Sequence, residues 1–316
     1  MRIPGEKTLL RHRCYWRGRF LGGGVILGYH RVAHDPEDPH LLCVRPSHFQ
    51  EHLEVISRHF QVVSLEELVR NSGATVGRET SLDGSDAHGS APHGSGPDRR
   101  PSAGSTSKSP QLGNGRRLLA LTFDDGYTDV LNAALPCIED RAMPVTVFVV
   151  AGAVGMDRFH WDSGRGGLEG RPLSREELGR LASRPGVEIG AHTLSHPDLT
   201  TLSPPEARLQ IAEGRDRLEA LLHRPVLSFS YPHGGVNRPV QRAVSKSRFQ
   251  LACASRPGLV TRSSDPLRLP RFWPPDAPGP VFERWLASWT GIRPGDGSRG
   301  RSSAVTAATS TEGDGP

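Results

Sequence analysis

Short apolar runs alternate with amphipathic segments along most of the chain. The apolar runs are rich in β-branched residues, as in residues 145–150, and this composition favours buried strands. The segments between them repeat apolar residues three and four positions apart, as in Phe49, Leu53 and Ile56, which is the spacing of one helix face. The alternation predicts an α/β fold with a parallel sheet and helical crossovers.

Helix starts are marked by capping signals. Ser64, Ser174 and Ser203 each precede a glutamate three positions later, which is the pattern of a capping box. Pro136 is expected to interrupt or shift the helix predicted near residues 129–140. The predicted strands are residues 25–30, 61–63, 118–123, 145–150, 187–191, 226–229 and 250–254. The other predicted helices start near residues 46, 64, 174, 203, 237 and 282.

Two segments break this pattern. Residues from about 71 to 117 and from 294 to 316 consist mainly of glycine, serine, proline and charged residues. Such segments cannot bury enough apolar surface to offset their ordering entropy, so we expect a disordered insert and a disordered tail. The remaining chain divides into a basic arm over residues 1–20 and a single folded domain over residues 21–293, which carries the insert.

The charge distribution limits the partners that the chain can have. The net charge is +5, but arginine is clustered only at the start of the chain, and no nucleic-acid-binding module is recognisable. We therefore expect no nucleic-acid partner. The basic start is either a peripheral arm that lies on anionic lipid or a solvated terminus.

The cysteines and the apolar runs exclude further classes. Four cysteines lie far apart without a C-x-x-C pair, which excludes a zinc ribbon and a dense disulfide framework. No run reaches the ~18 apolar residues that span a bilayer, so no transmembrane segment is expected. Residues 20–28 are too short and too rich in glycine for a convincing signal peptide. A cytoplasmic location is the default expectation.

The residues best suited to chemistry follow the predicted strands. His30, Asp124, Asp125, His192 and Pro232 lie at or just after the C-terminal ends of strands. These ends gather at one face of a parallel sheet, where the sites of such folds lie. The sequence therefore predicts one site at this face.

Two pairs of residues suggest what that site holds. Asp124 and Asp125 are adjacent carboxylates, which repel unless a metal, an arginine or a proton lies between them. His192 and His196 are four positions apart, a spacing that brings both rings to one face of a helical turn. Two histidines and one carboxylate leave open positions on a divalent metal for water and substrate. A capped turn and two solvated histidines remain the structural alternatives.

Three segments together resemble a known family. TFDDG at residues 122–126, HTLSHP at 192–197 and FSYPHG at 229–234 resemble, in order and spacing, the first three motifs of the polysaccharide deacetylases, which are carbohydrate esterases with a NodB-homology domain. The resemblance extends over roughly residues 30–289. It implies a distorted (β/α) barrel of about seven parallel strands in a single domain, and metal-dependent removal of acetyl groups from sugars.

The resemblance also implies roles for individual residues. Asp125, His192 and His196 would bind the metal, and Asp124 would be the general base. Thr193 would hold the metal-binding loop by hydrogen bonding. The two histidines favour Zn²⁺, while Co²⁺, Ni²⁺ and Mn²⁺ suit a similar geometry.

The FSYPHG segment is expected to contact the substrate. By the same resemblance, the backbone N–H near His233 would stabilise the oxyanion. Tyr231 and Pro232 would shape the wall of the groove. Trp161 and Trp273 either line this groove or belong to the core.

The sequence departs from the commoner family pattern at two positions. A late histidine usually supplies the general acid, but no histidine follows His233. The early GYHRV segment resembles a circularly permuted branch, which makes His30 the predicted acid, with a packed histidine as the alternative. Ser230 stands where many members carry an arginine that orients the base. Arg271 is predicted to supply this cation, with an ordinary surface salt bridge as the alternative.

These features lead to one hypothesis and two alternatives. The hypothesis is a metal-dependent hydrolase that removes acetyl groups from N-acetylated amino sugars of a glycan or glycoconjugate. The alternatives are a catalytically inactive carbohydrate-binding protein on the same fold, and an amidohydrolase of a small non-sugar acetamide. The presence of a base, metal ligands and a candidate acid argues against the inactive protein.

Overall fold

The computed structural model describes residues 6–21, 23–35, 38, 41–74, 116–162 and 170–295. The strands are β1 (Val25–Tyr29), β2 (Arg31–Val32), β3 (Cys43–Val44), β4 (Phe60–Val62), β5 (Arg117–Phe123), β6 (Val145–Val149), β7 (Val187–Ala191), β8 (Ser228–Ser230) and β9 (Leu251–Cys253). The α-helices are α1 (Glu6–Leu21), α2 (Pro46–His59), α3 (Leu65–Ser72), α4 (Leu135–Glu139), α5 (Arg175–Ala182), α6 (Pro204–Leu222), α7 (Arg238–Lys246) and α8 (Gly279–Thr290).

Seven parallel strands form a curled sheet. The order is β1, β5, β6, β7, β8, β9, and β4 pairs with the first residues of β5. Residues 269–272 bridge the two edge strands, because the Leu269 N–H donates to Ala252 O at 2.8 Å in β9 and the Phe272 N–H donates to Ile26 O at 2.9 Å in β1. The predicted distorted barrel of about seven strands is confirmed.

The strands bury both of their faces. In β1 and β5, Val25, Leu27, Leu119 and Leu121 join the large core that the sheet shares with the helices. The intervening residues Ile26, Leu118 and Ala120 belong to a second, separate core together with Phe148 and Cys253. Side chains alternate across a strand, so this second core is the barrel interior. A parallel sheet that is buried on both faces explains why the strands read as continuous apolar runs.

The local signals for helices are largely confirmed. Ser174 and Ser203 form complete capping boxes at the starts of α5 and α6, while Ser64 only accepts a bond from the Glu67 N–H. Near Pro136, a π-helical turn (Val130–Ala134) precedes α4, so the helix is interrupted as predicted. The small parallel pair β2–β3 was not predicted.

The start of the chain differs from the prediction. Residues 6–21 form α1, which packs on α8 and buries Cys14. A Cβ placed on Gly18 would overlap the Thr290 carbonyl oxygen, and the Arg117 guanidinium donates to the carbonyls of both Gly18 and Thr290. The predicted arm over residues 1–20 is therefore wrong for its described part, which belongs to the folded domain.

Helix α3 and strand β5 extend into the two ends of the predicted insert. Asn71 and Ser72 end α3, and Arg117 begins β5. Residues 75–115 and 296–316, which make up most of the predicted insert and tail, lie outside the described residues. Among the described helices, none combines the length and apolar character needed to cross a membrane.

Replacing Gly18 with alanine is expected to destabilise the protein by about 1–3 kcal/mol, because the added methyl group would push α1 away from α8. Gly179 is the matched control, since it lies in α5 with open space around its Cα. Gly179→Ala is expected to stabilise the protein by about 1 kcal/mol at most. Urea unfolding of both variants measures the difference; equal midpoints would show that α1 does not pack tightly on α8.

Candidate active site

The two aspartates sit in a sharp turn at the end of β5. The Asp124 N–H donates to Tyr29 O at 2.9 Å, which continues the pairing with β1. Asp125 (φ 73°) and Gly126 (φ 85°) then both adopt left-handed conformations. Aspartate is one of the few residues with a side chain that enters this region readily. The consecutive left-handed residues turn the chain away from the strand at once and leave both carboxylates at the rim of the barrel.

Arg271 neutralises the first of these carboxylates. Its Nη1 donates to Asp124 Oδ1 at 2.7 Å and its Nη2 donates to Asp124 Oδ2 at 2.8 Å. The Ser230 hydroxyl donates to Asp124 Oδ2 at 3.0 Å and itself accepts a bond from Arg271 Nη2 at 2.8 Å. Burial alone would raise the pKa of Asp124, but the charge of Arg271 and its hydrogen bonds hold that pKa far below its usual value. Asp124 is therefore ionised.

The guanidinium of Arg271 is fully buried and also contacts Trp273, whose ring centre lies 4.6 Å away. This arrangement explains how Ser230 is compatible with the site. The small Ser230 side chain leaves space for an arginine that comes from residues 269–272 instead of from β8. The predicted contact between Arg271 and Asp124 is present, and it is a buried bidentate pair, not a surface salt bridge.

His192 and His196 are brought together by a loop and not by a helical turn. The prediction that both histidines lie on one helical turn is wrong, because the backbones of Thr193 (φ 68°) and His196 (φ 61°) are left-handed. The Thr193 hydroxyl accepts a bond from the His196 N–H at 2.9 Å, which closes the loop. The two imidazole centres lie 4.8 Å apart as a result.

Asp125, His192 and His196 present a set of donor atoms suited to a divalent metal. Both histidine Nε2 atoms lie 3.5 Å from Asp125 Oδ1, and one donor atom from each residue falls within 4.8 Å of the other two. The Nδ1–H of His192 donates to Ser230 O at 2.8 Å. Burial lowers the pKa of His192, so the ring is neutral and its Nε2 carries the lone pair. Such outer hydrogen bonding is typical of metal-binding histidines.

His196 has a similar electrostatic environment. Burial, followed by the proximity of His192, lowers the pKa of His196 to about 2. Its ring is therefore neutral at neutral pH and able to use a nitrogen lone pair. Two neutral imidazoles and a carboxylate that face one another fit zinc and similar ions.

One cavity of about 360 Å³ contains the predicted catalytic and metal-binding residues. The walls of this catalytic pocket are His30, Leu42, Asp124, Asp125, His160, Trp161, His192, His196, His233, Ser255 and Trp273. The His30 ring stacks on Trp273 with ring centres 4.7 Å apart. Trp161 is held by a hydrogen bond from its Nε1 to the Tyr127 hydroxyl at 2.8 Å. Both tryptophans whose positions the sequence left open therefore line this pocket.

The FSYPHG segment contributes less to the pocket than predicted. Tyr231 is fully buried and its hydroxyl donates to Leu267 O at 2.8 Å, so it belongs to the core between sheet and helices. Pro232 is also buried and is absent from the pocket walls. The groove-wall role predicted for these two residues is wrong. His233 does reach the pocket, with a left-handed backbone (φ 56°).

Sequence reasoning missed three wall residues, Leu42, His160 and Ser255. A signal for Ser255 was available, since it follows β9 just as Asp125 follows β5. Gly234 supports this placement, because a Cβ at that position would overlap the Ser255 side chain. Leu42 gave no such signal, because it precedes the unpredicted β3.

Residues 112–252 match the family model for polysaccharide deacetylases. Over this stretch, which is less than half of its length, the chain is similar to the polysaccharide deacetylases. The Bacillus subtilis protein YxkH is 26% identical over 173 residues, which are 54% of this chain and 57% of YxkH. The Bacillus subtilis peptidoglycan-N-acetylmuramic acid deacetylase PdaC is 32% identical over 124 residues, 39% of this chain and 22% of PdaC. The chain thus spans less than two thirds of the length of these curated relatives.

Solved structures show the same fold. The Streptococcus pyogenes deacetylase PplD, solved in complex with acetate, has a TM-score of 0.60 at 19% identity over 84% of this chain and 98% of PplD. The stretch that matches the family model contains Asp124, Asp125, His192 and His196. His30 and Arg271 lie outside this stretch. In the structure, His30 lines the same pocket and Arg271 pairs with Asp124.

Proposed function

We propose that this chain hydrolyses the acetamide group of an N-acetylated amino sugar in a glycan or glycoconjugate, with the help of a bound divalent metal. The observation that carries the proposal is one pocket that holds an arginine-paired aspartate, Asp124, beside the three-residue donor set of Asp125, His192 and His196. The name of the relative PdaC, a deacetylase of an N-acetylated amino sugar, supports the substrate class.

Asp125, His192 and His196 would hold the metal, with Zn²⁺ favoured by the two neutral imidazoles. When bound, a metal in this position supplies Lewis acidity toward the acetyl carbonyl and lowers the pKa of a water molecule. Thr193 keeps His196 in place through its hydrogen bond to the loop backbone. Ser230 O keeps the lone pair of His192 Nε2 turned toward Asp125.

Asp124 would act as the general base that accepts a proton from the attacking water. Arg271 and Ser230 fix the carboxylate in one orientation, and Oδ1, which accepts a single bond, retains a further acceptor position. The same arginine keeps Asp124 ionised, so the base is ready at neutral pH. The N–H of His233 would donate to the oxyanion that forms at the acetyl carbon.

His30 would donate the proton that the leaving amine requires. The ring lies across the pocket at the end of β1 and is oriented by its stacking on Trp273. Burial lowers the pKa of His30 to about 4, so the ring is neutral before substrate binds at neutral pH. It would therefore have to gain a proton during turnover, and the proton that Asp124 takes from the attacking water is the one that the reaction supplies for the leaving amine.

Acetate release is the direct test of this function. N-acetylglucosamine oligomers, lipid-linked N-acetylated sugars and sugar nucleotides would be incubated with the protein, with and without a chelator. We expect acetate from at least one sugar class, loss of activity with chelator, and recovery with Zn²⁺. Sugar binding without acetate release would instead identify an inactive carbohydrate-binding protein, and release from simple acetamides alone would identify a non-sugar amidohydrolase.

His30→Ala is expected to lower turnover by about a hundredfold, which is at the lower end for loss of a general acid. The metal content measured by elemental analysis should stay unchanged, because His30 is not part of the donor set. His34→Ala is the matched control, since His34 is exposed and does not line the catalytic pocket. Loss of metal from the His30 variant would make this residue a ligand or a structural support instead of the acid.

A further inference from the structure

A second cavity, of about 310 Å³, lies between α1 and the segment that follows β9. Four arginines line this arginine cavity: Arg13 and Arg17 from α1, Arg256 from the loop after β9, and Arg268. The Cys14 thiol lies at the same cavity, and the charges of Arg13, Arg17 and Arg256 all act on it. Four like charges around one opening repel one another, so their convergence favours an anionic ligand.

Acidic side chains of the described residues do not balance these arginines. Across the described ranges, none of the four forms an ion pair with a carboxylate, although other arginines of the protein do. Asp265 is the acidic residue among the cavity walls. Its carboxylate accepts bonds from the Gln241 side chain and from the Leu267 N–H. The arginine cavity therefore keeps a net positive charge.

Two large apolar side chains of α1 are exposed beside this cavity. Leu9 is 75% exposed and Trp16 is 54% exposed. Arg13 is four positions after Leu9 and three before Trp16, so all three lie on one side of the helix. Exposed tryptophan and leucine beside arginines are typical of helices that lie in a membrane interface, where the apolar groups enter the boundary of the acyl chains.

We infer that α1 docks the protein on an anionic membrane surface, with the phosphate of a phospholipid headgroup in the arginine cavity and with Leu9 and Trp16 in the lipid interface. A free anion would account for the four arginines but not for the two apolar side chains that flank Arg13. A second protein copy would account for the apolar side chains but not for the unbalanced charge. An anionic lipid surface accounts for both.

The arginine cavity and the catalytic pocket are lined by neighbouring residues of the same two segments. Ser255 lines the catalytic pocket and Arg256, the next residue, lines the arginine cavity. Similarly, Pro270 lines the arginine cavity while Arg271 pairs with Asp124. The Arg271 N–H donates to Arg256 O at 3.1 Å and joins these two segments. A membrane-docked α1 would therefore hold the catalytic pocket close to the lipid surface.

Vesicle flotation tests this inference without any measurement of catalysis, so its outcome is independent of the proposed deacetylation. The full chain would be mixed with phosphatidylcholine vesicles that contain or lack phosphatidylglycerol. We expect binding only to the vesicles with phosphatidylglycerol, and weaker binding at high salt, because salt screens the charges. Arg13→Gln combined with Arg17→Gln should weaken partitioning by roughly 25-fold, at about fivefold for each arginine near the surface.

Two further variants identify the surface that binds. Leu9→Gln combined with Trp16→Gln should also weaken flotation. Arg208→Gln combined with Arg217→Gln, two exposed arginines of α6, should leave it unchanged. Circular dichroism would verify that each variant is folded. Absence of vesicle binding by the folded chain would overturn the inference, as would equal binding by the α1 variants.

Two further measurements distinguish an anionic lipid surface from a soluble anion and from a second copy of the chain. Binding of inorganic phosphate in calorimetry without vesicle binding would show a site for soluble anions and would overturn the lipid assignment. A dimer in light scattering that Trp16→Gln dissociates, again without vesicle binding, would assign the apolar face to a second copy of the chain.

Discussion

Asp124→Asn is expected to reduce acetate release by about 10²–10⁴-fold, the range for loss of a positioned general base. The asparagine amide keeps the size of the side chain but cannot accept a proton from water at neutral pH. It also replaces one acceptor oxygen with an NH₂ group that would face the donors of Arg271 and Ser230. Metal content should remain unchanged, because the donor set consists of Asp125, His192 and His196.

Asp125→Asn is the matched control for this prediction, since the change in side chain is the same one residue away. This variant should lose both activity and metal, because it removes the charged member of the donor set. Elemental analysis and acetate release, measured on both variants, separate the two roles. Full activity of Asp124→Asn would contradict the assignment of Asp124 as the base.

The position of the site could be predicted from the sequence because it follows the topology. Residues after parallel strands share one face of the sheet, and the apolar runs that precede Asp124 and His192 are clear in the sequence. The same rule would have included Ser255 after β9. The cation beside Asp124 was predicted through the family resemblance, because Ser230 stands where many members carry an arginine that orients the base and Arg271 ends a late segment.

The shape of the site could be predicted less well, because it depends on backbone conformations that have no local signal. Thr193 and His196 are left-handed without being glycine, and only the surrounding contacts stabilise such conformations. The error at Tyr231 had a different origin. Side chains alternate across β8, so Ser230 faces Asp124 inside the barrel while Tyr231 faces the core outside it. Applying that alternation would have placed Tyr231 correctly.

Helix α1 was missed because its buried surface is small and partly made of backbone. It contacts α8 through Gly18, which has no side chain, and its buried Cys14 is small. The arginines of this segment dominate its composition and suggested a solvated arm. Close packing at a glycine depends on the partner helix, so the sequence of α1 alone does not reveal it.

Arg271→Met is expected to destabilise the protein by about 3–5 kcal/mol, the usual cost when one partner of a buried ion pair is removed. Methionine fills much of the same volume, so the loss reports mainly the uncompensated charge of Asp124. The double variant with Asp124→Asn should cost less than the sum of the two single variants, because it removes both charges. Arg184→Met breaks an exposed pair with Glu139 and should shift the unfolding midpoint little.

The pH dependence of unfolding, measured with chelator present, gives a second signature of this pair. In the wild type, the folded pKa of Asp124 is depressed. The pair therefore stabilises the fold fully above the unfolded value of about 3.9 and loses this effect as the pH falls through the folded pKa. In Arg271→Met, the loss of the guanidinium leaves burial as the largest influence on Asp124, so its pKa is expected to rise above the unfolded value. Protonation then relieves the buried charge, so the stability gap between variant and wild type should narrow as the pH falls from neutral toward the unfolded value. A gap that stays constant over this range would show that the buried charge of Asp124 is not what the arginine compensates.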